Sequence, residues 1–105
     1  TTFRKITDEY NEAEGIAPDG KWVLVESSRE QGGPGRQNAR YIDIWKLKLE
    51  PHSTDFVRLT RWGNCEGYKA SNPVVSPDGN WIAFQSARSD EPAGVGHGIF
   101  LLRVK

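Results

Sequence analysis

The chain has 105 residues, the size of one ordinary domain and long enough to enclose a core. Its 14 basic and 14 acidic side chains cancel, which excludes the global field that marks a nucleic-acid or anionic-membrane partner. The hydrophobic share is 36% and no apolar run approaches membrane-spanning length, so no membrane insertion is expected.

Taken in chain order, the first segment is Thr1-Thr2-Phe3-Arg4-Lys5, with no initiator Met and no signal-like pattern. That start suits a processed, excised or engineered chain. Phe3-Arg4-Lys5-Ile6-Thr7 reads as a short strand. A second strand is predicted over 12–17. Pro18-Asp19-Gly20 then makes a tight turn: Pro fixes φ, Asp bonds back to the backbone, and Gly takes the left-handed position. The strand at 21–27 puts Val23, Val25 and Ser27 on one face and Trp22 and Leu24 on the other. Apolar residues on both faces imply a sheet covered on both sides. A Gly/Pro-rich insert occupies 31–40, and strands follow at 41–49 and 56–60. After a loop holding Trp62 and the only cysteine, Cys65, strands are predicted at 71–76, 80–86 and 98–104, with Pro77-Asp78-Gly79 as the turn between the first two. No stretch shows sustained helical periodicity.

These elements recur. Ala17-Pro18-Asp19-Gly20-Lys21-Trp22-Val23-Leu24-Val25-Glu26-Ser27-Ser28-Arg29 returns as Ser76-Pro77-Asp78-Gly79-Asn80-Trp81-Ile82-Ala83-Phe84-Gln85-Ser86-Ala87-Arg88, with the Pro, Asp, Gly, Trp, Ser and Arg identical. Upstream, Phe3 to Thr7 matches Phe56-Val57-Arg58-Leu59-Thr60. Downstream, Asp43 to Leu49 matches Gly98 to Val104. Three blocks in the same order, with loops that change length between them, mean duplication of one structural unit.

The Ser-Pro-Asp-Gly-Asn-Trp-Ile-Ala-Phe-Gln-Ser-Ala-Arg block, with Leu59-Thr60 and Ile99-Phe100 in the flanking slots, resembles the TolB-like (WD-like) β-propeller repeat family. Ala17 departs from the family's usual Ser, and the 31–40 insert is extra. The resemblance implies an all-β fold of two four-stranded antiparallel blades, the first at about 8–60 and the second at about 61–105. The outer strand of each blade comes from the next repeat or a neighbouring copy. Residues 3–7 are then a displaced outer strand, and the second blade lacks its own. An open edge recruits strands, so the leading reading is a non-catalytic protein-interaction scaffold that completes its propeller head to tail. Three copies and six blades are preferred over a tetramer. The alternative is a substrate-gating propeller fragment of a larger peptidase-like enzyme. The family also implies a periplasmic or cell-surface setting and a protein or peptide ligand.

Candidate chemistry is sparse. His52 and His97 lie far apart with no ligand spacing around either, so no metal and no cofactor are expected. Cys65 has no base at a recognisable spacing. Asp19 and Asp78 are explained by their turns. Gly94-Val95-Gly96-His97-Gly98 lacks the helix and Lys-Ser/Thr pair of a phosphate loop. Strand alternation gathers the loops at 8–12, 28–40, 61–71 and 87–97 at one end, opposite the Pro-Asp-Gly turns. Candidate binding residues on that end are Arg29, Arg36, Arg40, Trp62, Tyr68, Arg88 and His97. For the repeated Arg29 and Arg88 two roles stand open: a structural bond to a carbonyl or carboxylate of the adjacent blade, or an anion or peptide contact.

Overall fold

The computed structural model describes residues 9–31, 35–92 and 94–104. They form seven strands: β1 (Asn11–Ile16), β2 (Trp22–Ser27), β3 (Asp43–Lys48), β4 (Phe56–Arg58), β5 (Tyr68–Val75), β6 (Trp81–Arg88) and β7 (Ile99–Arg103). A 3-10 turn at Trp62–Asn64 is the one helical segment among the described residues. The strands hydrogen-bond as β1-β2-β3-β4 and β5-β6-β7, two all-antiparallel sheets of four and three strands. Each strand expected at residues 12–104 is present. The one expected at Phe3-Arg4-Lys5-Ile6-Thr7 lies outside the described residues.

One boundary moves substantially. β5 begins at Tyr68, three residues before the expected start, because Tyr68 to Ser71 already pair with Arg88 to Gln85. A bulge follows, with Asn72 at φ 51°, before Val74 and Val75 rejoin opposite Ala83 and Ile82. The polar run Tyr68-Lys69-Ala70-Ser71 concealed this half of the strand. β1 carries a bulge at the corresponding point, between Ala13 and Gly15.

The two Pro-Asp-Gly turns are built alike. Asp19 Oδ1 accepts the Lys21 N–H at 2.9 Å, and Asp78 Oδ1 accepts the Asn80 N–H at 2.9 Å. Gly20 and Gly79 sit at φ 73° and 76°, where a side chain is strained. Ala17 donates to Trp22 O at 2.9 Å and Ser76 to Trp81 O at 2.8 Å. The Ser76 hydroxyl adds a 2.6 Å bond to Asp78 and accepts from Trp81 N, two bonds that Ala17 cannot make.

The sheets stack through unlike faces. The face carrying Val23, Val25, Trp45 and Leu47 is here called the front of the first sheet; Ile82, Phe84, Phe100 and Leu102 are its counterparts in the second. The back carries Trp22, Leu24 and Ile44, or Trp81, Ala83 and Ile99. Leu24 and Ile44 from the first back share one core with Ala70, Ile82 and Phe84 from the second front. Trp22, Leu59, Trp62, Val75, Leu102 and Val104 pack around them. β5 is the strand of the second sheet that lies against β1, β2 and β3. Two backbone-level bonds cross this junction: Ala70 N to Ile42 O at 3.1 Å, and Asn72 N to Glu26 Oε2 at 3.2 Å.

The front of the first sheet has a separate layer. Val23, Val25 and Trp45 are buried there, with Leu47 and Phe56 packed against them. Phe56 meets Trp45 edge to face, 6.3 Å between centroids, and the Arg29 guanidinium lies 4.5 Å over the Phe56 ring.

A single carboxylate ties the sheets' connection together. Asp43, at the start of β3, is fully buried. Its Oδ1 accepts the Thr60 hydroxyl at 2.7 Å and the Trp62 N–H at 2.8 Å. Its Oδ2 accepts Arg58 at 2.8 Å, Gln31 Nε2 at 2.9 Å and the Gly63 N–H at 3.0 Å. A Cβ at Gly63 would displace the Gln31 carboxamide that reaches Asp43. The chain leaving β4 is thereby clamped, and Trp62 is delivered into the inter-sheet core, 5.0 Å from Phe100 and 6.2 Å from Phe84.

Three substitutions test these contributions to stability. Asp43→Ala removes the short ion pair of the nearly buried Arg58 guanidinium, leaving only the longer, exposed contact to Glu30, and chemical denaturation should show a loss of about 3–5 kcal/mol. Ile44→Ala should cost about 2–5 kcal/mol. Ile99→Ala, its repeat counterpart on an open face, should stay within about 0.5 kcal/mol when measured on dilute monomer.

Candidate functional site

The loop end of the two sheets holds two cavities that share Lys69. One, of about 310 Å³, is bounded by Arg40, Lys69, Asp90 and Glu91. The other, of about 180 Å³, lies between the sheets and is bounded by Tyr10, Glu12, Glu14, Glu26, Lys69 and Asn72. β1 supplies Glu12 and Glu14, and β2 supplies Glu26 from its back face, where a carboxylate interrupts Val23-Leu24-Val25. Lys69 comes from the half of β5 that precedes the bulge. Its residue is 3% exposed, and its ammonium donates to Glu91 O at 2.9 Å.

The electrostatics of the smaller cavity follow from crowding and dryness. Carboxylate oxygens of Glu12, Glu14 and Glu26 all lie within 4.8 Å of one another, the one such acidic grouping among the described residues. Burial pushes the Glu26 carboxyl up to about 7, reinforced by Glu14 and Glu12 and opposed by the Asn72 N–H and by Lys69. Glu14 is raised by burial and by Glu12. The Tyr10 hydroxyl donates to Glu12 at 2.6 Å, and that bond, helped by burial, pushes its phenol up to about 12. Burial lowers Lys69, with Glu26 and Glu91 pulling it back. The cluster therefore relieves its charge by sharing protons and by facing one ammonium. If it took up a cation, these three carboxylates would be the ligands.

The candidate residues from sequence are placed as follows. Arg29 bonds Glu9 at 2.8 Å while stacking on Phe56, so its contacts are carboxylate and ring. Arg88 is more exposed, 3.7 Å from Asp90 and 5.9 Å from the Tyr68 ring. Arg36 lies 4.9 Å over Tyr41. His97 Nε2 is 2.7 Å from Glu91. Trp62 is packed with Phe84 and Phe100. The fold thus brings Arg40 to the larger cavity and His97 to Glu91 beside it. Arg29 and Arg36 stay with their own ring partners. Pro18, Asp19, Gly20, Pro77, Asp78 and Gly79 meet at the far end, where two turns flank a cavity of about 260 Å³. The Ser76 hydroxyl bond there, followed by the Asn80 N–H, lowers the Asp78 carboxyl below its ordinary value.

Sequence reasoning missed Glu12, Glu14, Glu26 and Asp43. A signal existed for Glu26, a charge inside an apolar strand. Glu12 and Glu14 gave none, because acids on an edge strand look alike in sequence whether or not a second sheet closes over them. Compared with models of protein families, with curated proteins and with solved structures, the chain matches none.

The raised Glu26 carboxyl has a sign that can be checked. Its folded value lies above its unfolded one, so folding holds the proton, and stability is greatest below about 4.5 and declines as pH rises towards 7. Glu26→Gln removes that titration. Denaturation midpoints followed from pH 4 to 8 should flatten, with a gain at pH 8 on the order of 1–2 kcal/mol once solvent screening is allowed for.

Proposed function

We propose that the chain is a non-catalytic module of two β-propeller blades that serves as a protein-interaction scaffold. The observation that carries the reading is the unlike-face stacking of two duplicated sheets. The back of the first, through Leu24 and Ile44, meets the front of the second, through Ile82 and Phe84. Such a head-to-tail step, repeated, is the kind that closes into a ring when its rotation permits, whereas a two-fold sandwich would pair like faces. The duplicated Pro-Asp-Gly turns, with the same bonds in both repeats, support the same unit. Six blades from three copies is the preferred closure.

The binding end in this reading is the loop end. Its mixed-charge cavities and the exposed Tyr68, Arg88 and His97 suit a protein or peptide ligand, and loops on a stiff sheet scaffold are where such contacts concentrate. The periplasmic or cell-surface setting rests on the family resemblance alone.

A single polypeptide carrying three tandem copies tests the architecture. Small-angle X-ray scattering should give a compact disc with no concentration dependence. An elongated particle, with its copies strung out, would sink the propeller reading.

A further inference from the structure

Six of the large apolar side chains left exposed gather on two faces, with Val57, Tyr68, Val95 and Phe100 elsewhere. On the back of the second sheet, Val74 is 61% exposed, Ile99 81% and Leu101 68%, with Trp81 beside them. Register makes these one patch: Val74 and Leu101 both sit opposite Ala83, and Trp81 and Ile99 lie one paired step to either side. Of their counterparts on the first sheet, Trp22 and Ile44 are covered by the second sheet, Ile44 fully buried, whereas Val74 answers to Gly15 and Leu101 to Lys46.

The opposite side of the molecule shows the complement. On the front of the first sheet, Ile16 is 63% exposed, Leu49 is 42% exposed and Leu47 is half-buried. Their repeat counterparts are Val75, Val104 and Leu102, and all three pack into the inter-sheet core. Parts of both halves of the internal interface thus recur exposed among the described residues: Trp81 and Ile99 on the back, joined there by Val74 and Leu101, and on the front the rim of Ile16, Leu47 and Leu49 beside the buried Val23, Val25 and Trp45. An exposed apolar patch flanked by polar residues marks an interaction surface.

We infer that the occupant of the second sheet's back is the first sheet's front from another copy of this chain. The contact extends the established inter-sheet interface by one repeat. Ile99, Leu101 and Val74 of one copy seat against Ile16, Leu47 and Leu49 of the next, with Phe56 and its stacked Arg29 at the centre of the receiving face. The inference rests on the propeller reading and adds to it the partner and the two surfaces. The contact is heterologous, so each copy keeps one free donor and one free acceptor face until the ring closes.

Charge placed on each half separates this from other modes of association. Leu49→Asp and Leu101→Asp alter exposed positions, so both variants should keep the wild-type near-ultraviolet dichroism of the buried Trp45. By light scattering, the wild-type chain should gain mass with concentration. Each variant alone should associate at least about a hundred-fold more weakly, because its apolar contact would bury a carboxylate. Mixed, the two should form a 1:1 heterodimer and nothing larger, since only one intact donor and one intact acceptor remain. If Leu49→Asp associates like wild type while Leu101→Asp does not, the back faces pair with each other and the inference is wrong. A wild-type chain that stays monomeric up to its solubility limit also overturns it. In that case a tandem three-copy chain that still scatters as a compact disc leaves the propeller reading standing, and one that does not removes both.

Discussion

Asp43 takes a full negative charge out of water, a cost of several kcal/mol in a protein interior, and five donors converge to offset it. Those donors come from the loop after β2, from β4, and from the segment leaving β4. The carboxylate therefore fixes three stretches of chain that would otherwise be independent loops. Because it accepts the N–H groups of Trp62 and Gly63, the link to β5 can leave in only one direction, and the Trp62 indole lands between the sheets. The position of the second sheet depends on that placement. Charge-assisted bonds are short and directional, and this clamp is specific where apolar packing alone would tolerate sliding.

Once the second sheet is placed, duplication does the rest. Two copies of one strand pattern present different side chains front and back, and unlike-face stacking lets the back of one fill the front of the other. That geometry uses each face once. Among the described residues no further sheet covers the last back or the rim of the first front, where Ile99 and Ile16 are exposed while Ile44 and Val75 are packed. Asp43 answers to Gly98, which carries no side chain, so the clamp that Asp43 makes with Arg58 and Thr60 belongs to the first sheet.

The same stacking closes the loop end over charge. Glu26 sits where an apolar residue would pack better, yet its carboxylate accepts the N–H of Asn72, freed by the bulge in β5, and so bonds one sheet to the other. Glu12, Glu14 and Lys69 share the small cavity around it. A junction held by apolar contact in its middle and by titratable groups at one end responds to pH at that end first.

The sequence by itself determined the strands, their duplication and their turns, because these are short-range facts: alternation with period two, Pro before Asp-Gly, and Gly where φ must be positive. Both apolar faces of β2 and β6 were equally legible, and so was the lack of any sustained helix among the described residues. What only the tertiary structure decided is which face meets which. Register within a strand tells that Leu24 and Val25 point opposite ways, but not that Leu24 finds Ile82 while Val25 finds Trp45. Asp43 and the glutamate cluster were hidden for the same reason. A carboxylate's role depends on how dry its surroundings are and which donors reach it, and both are set by residues far away in sequence. The early half of β5 was lost because its side chains are polar and its pairing partners, Arg88 to Gln85, lie across the sheet. Local chemistry wrote the pieces; the burial of Asp43 and the choice of unlike faces assembled them.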